Sequence, residues 1–175
     1  DQYSEIVRSA IAKDNRFELG ENGELGVIAS YGKIIPQETI KSFPYGILNL
    51  HPSLLPEYRG ASPVQAAILN QEKETGITII KIDEKPDHGP ILTQVKEPIL
   101  ANDTAETLYQ RLFKIGAERL LKILPDFLAG RIKPRPQDHA AATFTKRLTR
   151  DDGKINGRFK KQNAFHDSAG EVWFA

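Results

Sequence analysis

Asn49 and His51 stand two residues apart at the end of an apolar run, Gly46 to Leu50. Alternate residues of a β-strand share a face. An amide and an imidazole would therefore project together where that strand ends. Pro52 and Pro56 then turn the chain out of the strand. An amide N–H can stabilise an oxygen that gains negative charge, and an imidazole can do the same or move a proton near neutral pH. A carboxylate to orient the imidazole would come from the loop Asp83 to Pro90. Asp83, Glu84 and Asp87 are all candidates there, and spacing alone does not choose among them. Amide, imidazole and carboxylate meeting at one strand end would suit acyl transfer.

Simpler readings compete with these. A lone histidine is more often structural than catalytic, and Asn49 could merely cap a turn; it is the strand-end pairing of the two that favours chemistry. Ser53 lacks a Gly-x-Ser-x-Gly elbow and lies between prolines, which argues against a serine nucleophile. His51, His88, His139 and His166 show no close paired spacing of the kind a zinc site needs, so no metal is expected. Gly20, Gly23 and Gly26 make no dinucleotide fingerprint, because no strand precedes them.

The elements that must position these residues follow from periodicity and punctuation. Ser4 to Lys13 carries Ile6, Val7, Ala10 and Ile11 on one helical stripe, and Leu25 to Ser30 is a compact apolar strand that Tyr31-Gly32 ends. Pro36 can open a short helix to about Phe43, and Pro63 another to about Asn70. Strands are predicted over Ile77 to Ile82 and Ile91 to Lys96, around the acidic loop. The longest helix is predicted to start at Asp103, with Glu106 completing a capping box, and to end at Gly130. Ala105, Leu108, Leu112 and Ile115 form its apolar stripe. Alternating strands and helices predict an α/β fold with a mainly parallel sheet. Ligands bind such sheets beyond the carboxyl ends of strands, where Asn49, His51 and the acidic loop fall.

The stretches NLHPSLLPEYRGASPVQAAIL and ETGITIIKIDEKPDHGPIL resemble the catalytic core of the 10-formyltetrahydrofolate-dependent formyltransferases, a similarity that runs from about Leu25 to Ile155. The stretch ATFTKRLTRDDGKI favours the branch whose acceptor is initiator methionyl-tRNA. The resemblance implies a Rossmann-like formyltransferase fold and 10-formyltetrahydrofolate as formyl donor. It also implies roles. Asn49 would donate to the formyl oxygen, and His51 would act beside it. The Asp87-His88-Gly89 match selects Asp87 as the residue that orients His51, with His88 a loop variant. Ser53, Leu54, Leu55 and Pro56 would form the loop against the folate, and Arg59 would help receive the tRNA acceptor end; a solvated surface arginine is the plainer alternative. Other acceptors, a glycinamide ribonucleotide or an amino sugar, and a non-catalytic folate-binding fragment are the competing readings.

Composition sets the outer bounds. The chain has 175 residues, 39% of them hydrophobic, enough for one core. It contains no cysteine, which excludes disulfides and thiol chemistry. Net charge is +1, but Lys146 to Lys161 holds seven Lys or Arg against two Asp and could meet a polyanion, or serve only as a solvated linker. The expected division is residues 1–145 as catalytic domain and 146–175 as a basic linker with the remnant of a further domain. Residues 156–157 read Asn-Gly where relatives usually carry Asp-Trp, so the similarity weakens there. The chain holds no methionine and opens on Asp1, and on the resemblance it is expected to lack the first strands of the fold. No apolar run approaches the roughly 20 residues that span a bilayer. A cytoplasmic monomer is expected.

Overall fold

A computed structural model describes residues 2–14, 23–31 and 34–153, and the backbone of 164–166 and 172–174. Four strands form the main sheet in the order β1, β2, β4, β5: β1 is Gly26–Ala29, β2 Ile47–His51, β4 Glu74–Lys81 and β5 Ile91–Pro98. Strand β3 (Arg59–Gly60) pairs in parallel with β6 (Phe144–Thr145) as a separate two-stranded ribbon, and β7 (Ala164–His166) pairs with β8 (Val172–Phe174). The helices are α1 (Gln2–Ala12), α2 (Gln37–Ser42), α3 (Pro63–Leu69) and α4 (Ala105–Leu128). All the predicted helices and strands are present. The ribbon of β3 and β6 was not predicted, because two-residue strands carry no periodicity.

The sheet mixes strand directions. β1 and β2 are parallel, joined through α2. β2 and β4 are antiparallel, as are β4 and β5. Among the described strands, the parallel pairing expected of the α/β fold is thus found at β1–β2, while β4 is reversed and pairs with β5 in an antiparallel arm. The connection 82–90 explains that arm: a parallel crossover needs about a dozen residues or more, usually with a helix, whereas a short loop returns the strand antiparallel.

Helix α4 supplies more of the core than any other described element. Leu108, Leu112, Phe113, Leu120 and Leu124 recur at helical spacing and are buried against Leu48, Leu50, Ile77 and Ile79 of the central strands, with α1 adding Val7 and Ile11. Its start differs from the prediction by one residue. Thr104 is the N-cap: its Oγ1 accepts from Thr107 N at 3.2 Å, and Thr107 Oγ1 accepts from Thr104 N at 2.9 Å. Asp103 instead accepts from Leu100 N at 2.7 Å and pairs with Arg111 at 2.6 Å. Its carboxylate is drawn to a cation rather than to the helix end. Pro125 lies inside α4 without ending it, since Ala129 N still reaches Pro125 O at 3.1 Å. No described helix is long and apolar enough to cross a membrane.

The basic stretch falls largely outside the described residues, which exclude Lys154, Arg158, Lys160 and Lys161. Lys146, which is described, pairs with Asp152. Around residue 145 the chain is bonded back to β3 and its surroundings: Leu148 N donates to Ser62 Oγ at 3.3 Å, and Thr145 Oγ1 donates to Arg59 O at 3.0 Å.

Phe113 is fully buried where α4, α1 and the sheet meet, stacked on Tyr3 with ring centroids 5.2 Å apart. Truncating a buried Phe to Ala typically costs about 3–5 kcal/mol. Phe113→Ala is expected to lose that much in urea denaturation; a loss under about 1 kcal/mol would show that α4 is not the core the site rests on.

Candidate active site

Strand β2 alternates two kinds of residue. Leu48 and Leu50 enter the core under α4, and Asn49 and His51 take the opposite face. Asn49 and His51 then meet the same atom. Asn49 Nδ2 donates to Asp87 Oδ1 at 3.2 Å, and His51 Nδ1 lies 3.3 Å from that same oxygen. The other carboxylate oxygen, Oδ2, accepts from Gly60 N at 2.9 Å. His51 Nε2 lies 2.9 Å from the carbonyl oxygen of Tyr58. A carboxylate and a carbonyl are both acceptors, so a ring protonated at both nitrogens donates to each. His51 is buried and the Asp87 side chain nearly so, which strengthens these interactions by excluding water.

Unusual backbone brings these atoms together. Asp87 has φ 51° and Tyr58 φ 57°, a left-handed conformation uncommon outside glycine, although Asp tolerates it better than most residues. Gly60, at φ 105°, lies against β6 so closely that a Cβ would stand 2.4 Å from Thr145 O. That approach aims its N–H at Asp87. Gly89 is equally constrained: a Cβ there would lie 1.9 Å from Lys81 O. The Asp-x-Gly pattern thus has a steric cause, since only glycine lets the loop lie against β4.

Burial pushes the Asp87 carboxyl up, but the hydrogen bond and charge of the His51 ring, the Gly60 N–H and the Arg59 guanidinium outweigh it. The net result is a carboxyl that titrates below its ordinary value. The competing acids serve elsewhere. Asp83 Oδ2 binds His88 Nδ1 at 2.6 Å and its Oδ1 accepts from Lys85 N at 3.0 Å, shaping the loop. Glu84 accepts from Gln37 at the surface. His88 stacks on His139, centroids 3.9 Å apart, and takes no part in the Asn49–His51–Asp87 cluster.

The remaining predicted residues are placed less simply. Ser53 and Leu55 are buried. Ser53 Oγ donates to Glu57 O at 2.6 Å. Thr78 Oγ1 donates to Ser53 O at 2.6 Å and accepts from Leu55 N at 3.1 Å, and Gln94 Nε2 donates to Leu55 O at 2.8 Å. The loop is therefore moored from behind, with only Leu54 and Pro56 half-buried at its front. Arg59 is turned inward and is 4% exposed, neither a solvated surface arginine nor a free cation. Its Nε and Nη2 donate to Gln137 Oε1 at 3.2 and 2.6 Å, and Nη2 also donates to His139 Nδ1 at 2.9 Å. Open depressions beside Leu54 and Glu72, and beside Tyr3 and Tyr109, do not reach the cluster. Convergent polar groups, not cavity size, mark this site. Gln137 and the Gly60 N–H escaped the sequence reading: Gln137 follows Pro134-Arg135-Pro136 in a stretch with no periodicity, and a backbone donor leaves no signature.

Residues 10–124 match the family model described as formyl transferase, a span that includes Asn49, His51, Arg59 and Asp87. The chain belongs to the formyl transferase family. It is similar to the methionyl-tRNA formyltransferase of Roseiflexus sp. (strain RS-1), 52% identical over 133 residues that make up 76% of this chain and 41% of that protein. Among solved structures, it resembles WlaRD, a sugar 3N-formyl transferase crystallised in the presence of dTDP and 5-N-formyl-THF, at 31% identity and a TM-score of 0.62, covering 72% of this chain and 44% of that one. Methionyl-tRNA formyltransferase from Clostridium thermocellum shares the fold, with a TM-score of 0.72 at 24% identity over 91% of this chain and 74% of that one. The chain thus spans less than half the length of the Roseiflexus protein. This formyl transferase family chain holds its amide, imidazole and carboxylate within the matched span, while Gln137 and β6 lie beyond it.

Two outcomes follow from this geometry. In Gly89→Ala the clash is with strand backbone, so the loop must move; destabilisation of about 1–3 kcal/mol is expected in urea denaturation, together with loss of the Asp87 contacts, and stability within 0.5 kcal/mol of the parent would contradict the steric reading. A carboxyl with a depressed folded-state value stabilises the fold above its unfolded value, about 3.9, and that contribution fades as pH falls through the lower folded value. The stability gap between the parent and Asp87→Asn is therefore expected to be full at pH 6 and to close below about pH 4; a gap that stays constant to pH 3 would refute it.

Proposed function

We propose that this chain is the catalytic unit of a methionyl-tRNA formyltransferase, moving the formyl group of 10-formyltetrahydrofolate onto the amino group of initiator methionyl-tRNA. One observation carries the chemistry: Asn49 Nδ2 and His51 Nδ1 converge on a single oxygen, Asp87 Oδ1. A half-buried amide donor and a buried imidazole that meet at one anionic oxygen are equipped to stabilise another, the formyl oxygen as it gains charge. Preorganised donors of this kind act most strongly where water is excluded. The donor set therefore fits a formyl donor. 10-Formyltetrahydrofolate supplies an activated carbonyl, and the chain's own residues do the rest.

In this reading the amine nitrogen forms a bond to the formyl carbon as the bond from that carbon to N10 breaks. Asn49 donates to the formyl oxygen, and His51, its two ring nitrogens held by Asp87 and the Tyr58 carbonyl, adds positive charge beside it. Asp87 keeps the ring oriented and helps pass the proton from the amine toward N10. Holding the two reactants in one place supplies much of the acceleration. The backbone of Ser53 to Pro56, moored by Thr78 and Gln94, together with Leu54 and Pro56, would form the wall against the folate. Arg59 would act at the acceptor side indirectly, through the ribbon of β3 and β6, since its own donors are engaged.

The tRNA acceptor is favoured by the Roseiflexus relative, and by the Lys and Arg residues from Lys146 onward that could meet a polyanion. We infer a monomer working in the cytoplasm, where aminoacylated tRNA is made. Formyl transfer should be assayed with methionyl-tRNA, an amino-sugar nucleotide and glycinamide ribonucleotide side by side; preference for either small acceptor would overturn the tRNA assignment. In the same assay Asn49→Ala is expected to lose roughly a hundredfold to a thousandfold in kcat, and His51→Ala at least as much, with folate affinity little changed. Near-normal turnover in His51→Ala would refute the mechanism.

A further inference from the structure

Gln137 lies outside the matched family span, between α4 and β6, and is 6% exposed. A glutamine amide offers two N–H donors and one oxygen with two accepting directions. Here all four are used, and every partner belongs to the site. Nε2 donates to Asp87 O at 2.9 Å and to Gly89 O at 2.7 Å. Oε1 accepts from Arg59 Nε at 3.2 Å and from Arg59 Nη2 at 2.6 Å. The two carbonyls flank His88 at the turn where Asp87 adopts its left-handed conformation. Arg59 immediately precedes Gly60, whose N–H holds Asp87 Oδ2. One buried amide thus grips the carboxylate's loop from behind and also the strand that supplies the donor in front.

We propose that Gln137 is a positioning residue of this site, setting the Asp87 backbone and the Arg59–Gly60 strand so that the carboxylate faces Asn49 and His51. Gln137 does not touch the reacting atoms; it acts through Asp87 and Gly60. A glutamine that merely filled the interior would tie together elements remote from the carboxylate, whereas its four hydrogen bonds end on residues 59, 87 and 89. The geometry also explains why the side chain must be an amide. A carboxylate could still accept from Arg59 through one oxygen but would set the other against the two carbonyls. A methionine of similar length would take the donor from both carbonyls and leave Arg59, of its two side-chain acceptors, with His139 alone. What Asp87 does chemically rests on the formyl-transfer reading, but the positioning itself can be read without turnover.

The test uses Gln137→Glu and Gln137→Met in the enzyme, with three readouts: thermal melting, the kcat and KM of formyl transfer, and the titration of the Asp87 carboxyl followed by carbon NMR. A misplacement of about 1 Å at a reacting centre can cost roughly a hundredfold. Both variants are therefore expected to lose roughly ten- to a hundredfold in kcat with KM little changed, and the Asp87 midpoint is expected to rise toward that of an ordinary carboxylate as its partners loosen. A lower melting temperature with unchanged kcat and unchanged Asp87 midpoint would make Gln137 a structural residue only and overturn the proposal. If Gln137→Glu does not fold, Gln137→Met decides by the same readouts. If the parent transfers formyl to none of the amines, the functional reading fails, and the Asp87 midpoint still decides whether Gln137 positions the carboxylate.

Discussion

One carboxylate oxygen, Asp87 Oδ1, holds the site together. It takes a donor from Asn49 and another from His51, while its twin takes the Gly60 N–H. A nearly buried anion with three donors is stable only while all three stay in place, because losing a partner leaves charge stranded away from water. That requirement accounts for much of the local backbone. Left-handed residues at Tyr58 and Asp87 and the close approaches of Gly60 and Gly89 are costly one by one. Together they bring the strand β2, the loop after β4 and the ribbon of β3 to one point.

The apolar core sets where that point lies. Leu48 and Leu50 must lie under α4, and the period of a strand then sends Asn49 and His51 to the other face. A slip of one residue in β2 would bury the amide and imidazole under the helix and expose the leucines. The pairing of His51 with Thr78 carries the same register into β4, where Thr78 turns its hydroxyl to the Ser53–Leu55 backbone. Core packing, strand register and the mooring of the Ser53–Pro56 loop are one constraint seen at three places.

The span shared with the formyl transferase family ends within α4, yet the physical site does not. Gln137, His139 and the Phe144–Thr145 strand all close on Arg59. The chain after α4 is therefore a wall of the site as well as a route onward. Thr145 and Leu148 are likewise bonded back to Arg59 and Ser62.

The sequence by itself determined the elements and the pairing of Asn49 with His51 on one strand face. Periodicity marked α1, β1, β2, β4, β5 and α4 because hydrophobic spacing is a local consequence of burying one face, and prolines marked the starts of α2 and α3. The i, i+2 relation of Asn49 and His51 was legible for the same reason. The choice of Asp87 over Asp83 and Glu84 needed the family likeness, since three acids in one loop look alike without coordinates. Tertiary structure alone decided the rest. Thr104 rather than Asp103 caps α4 because Arg111 claims the aspartate. Arg59 points inward because Gln137, 78 residues away, offers it an acceptor. The partners of Asp87 include a backbone N–H and, through its own carbonyl, a glutamine amide, contacts between distant segments that no local pattern encodes.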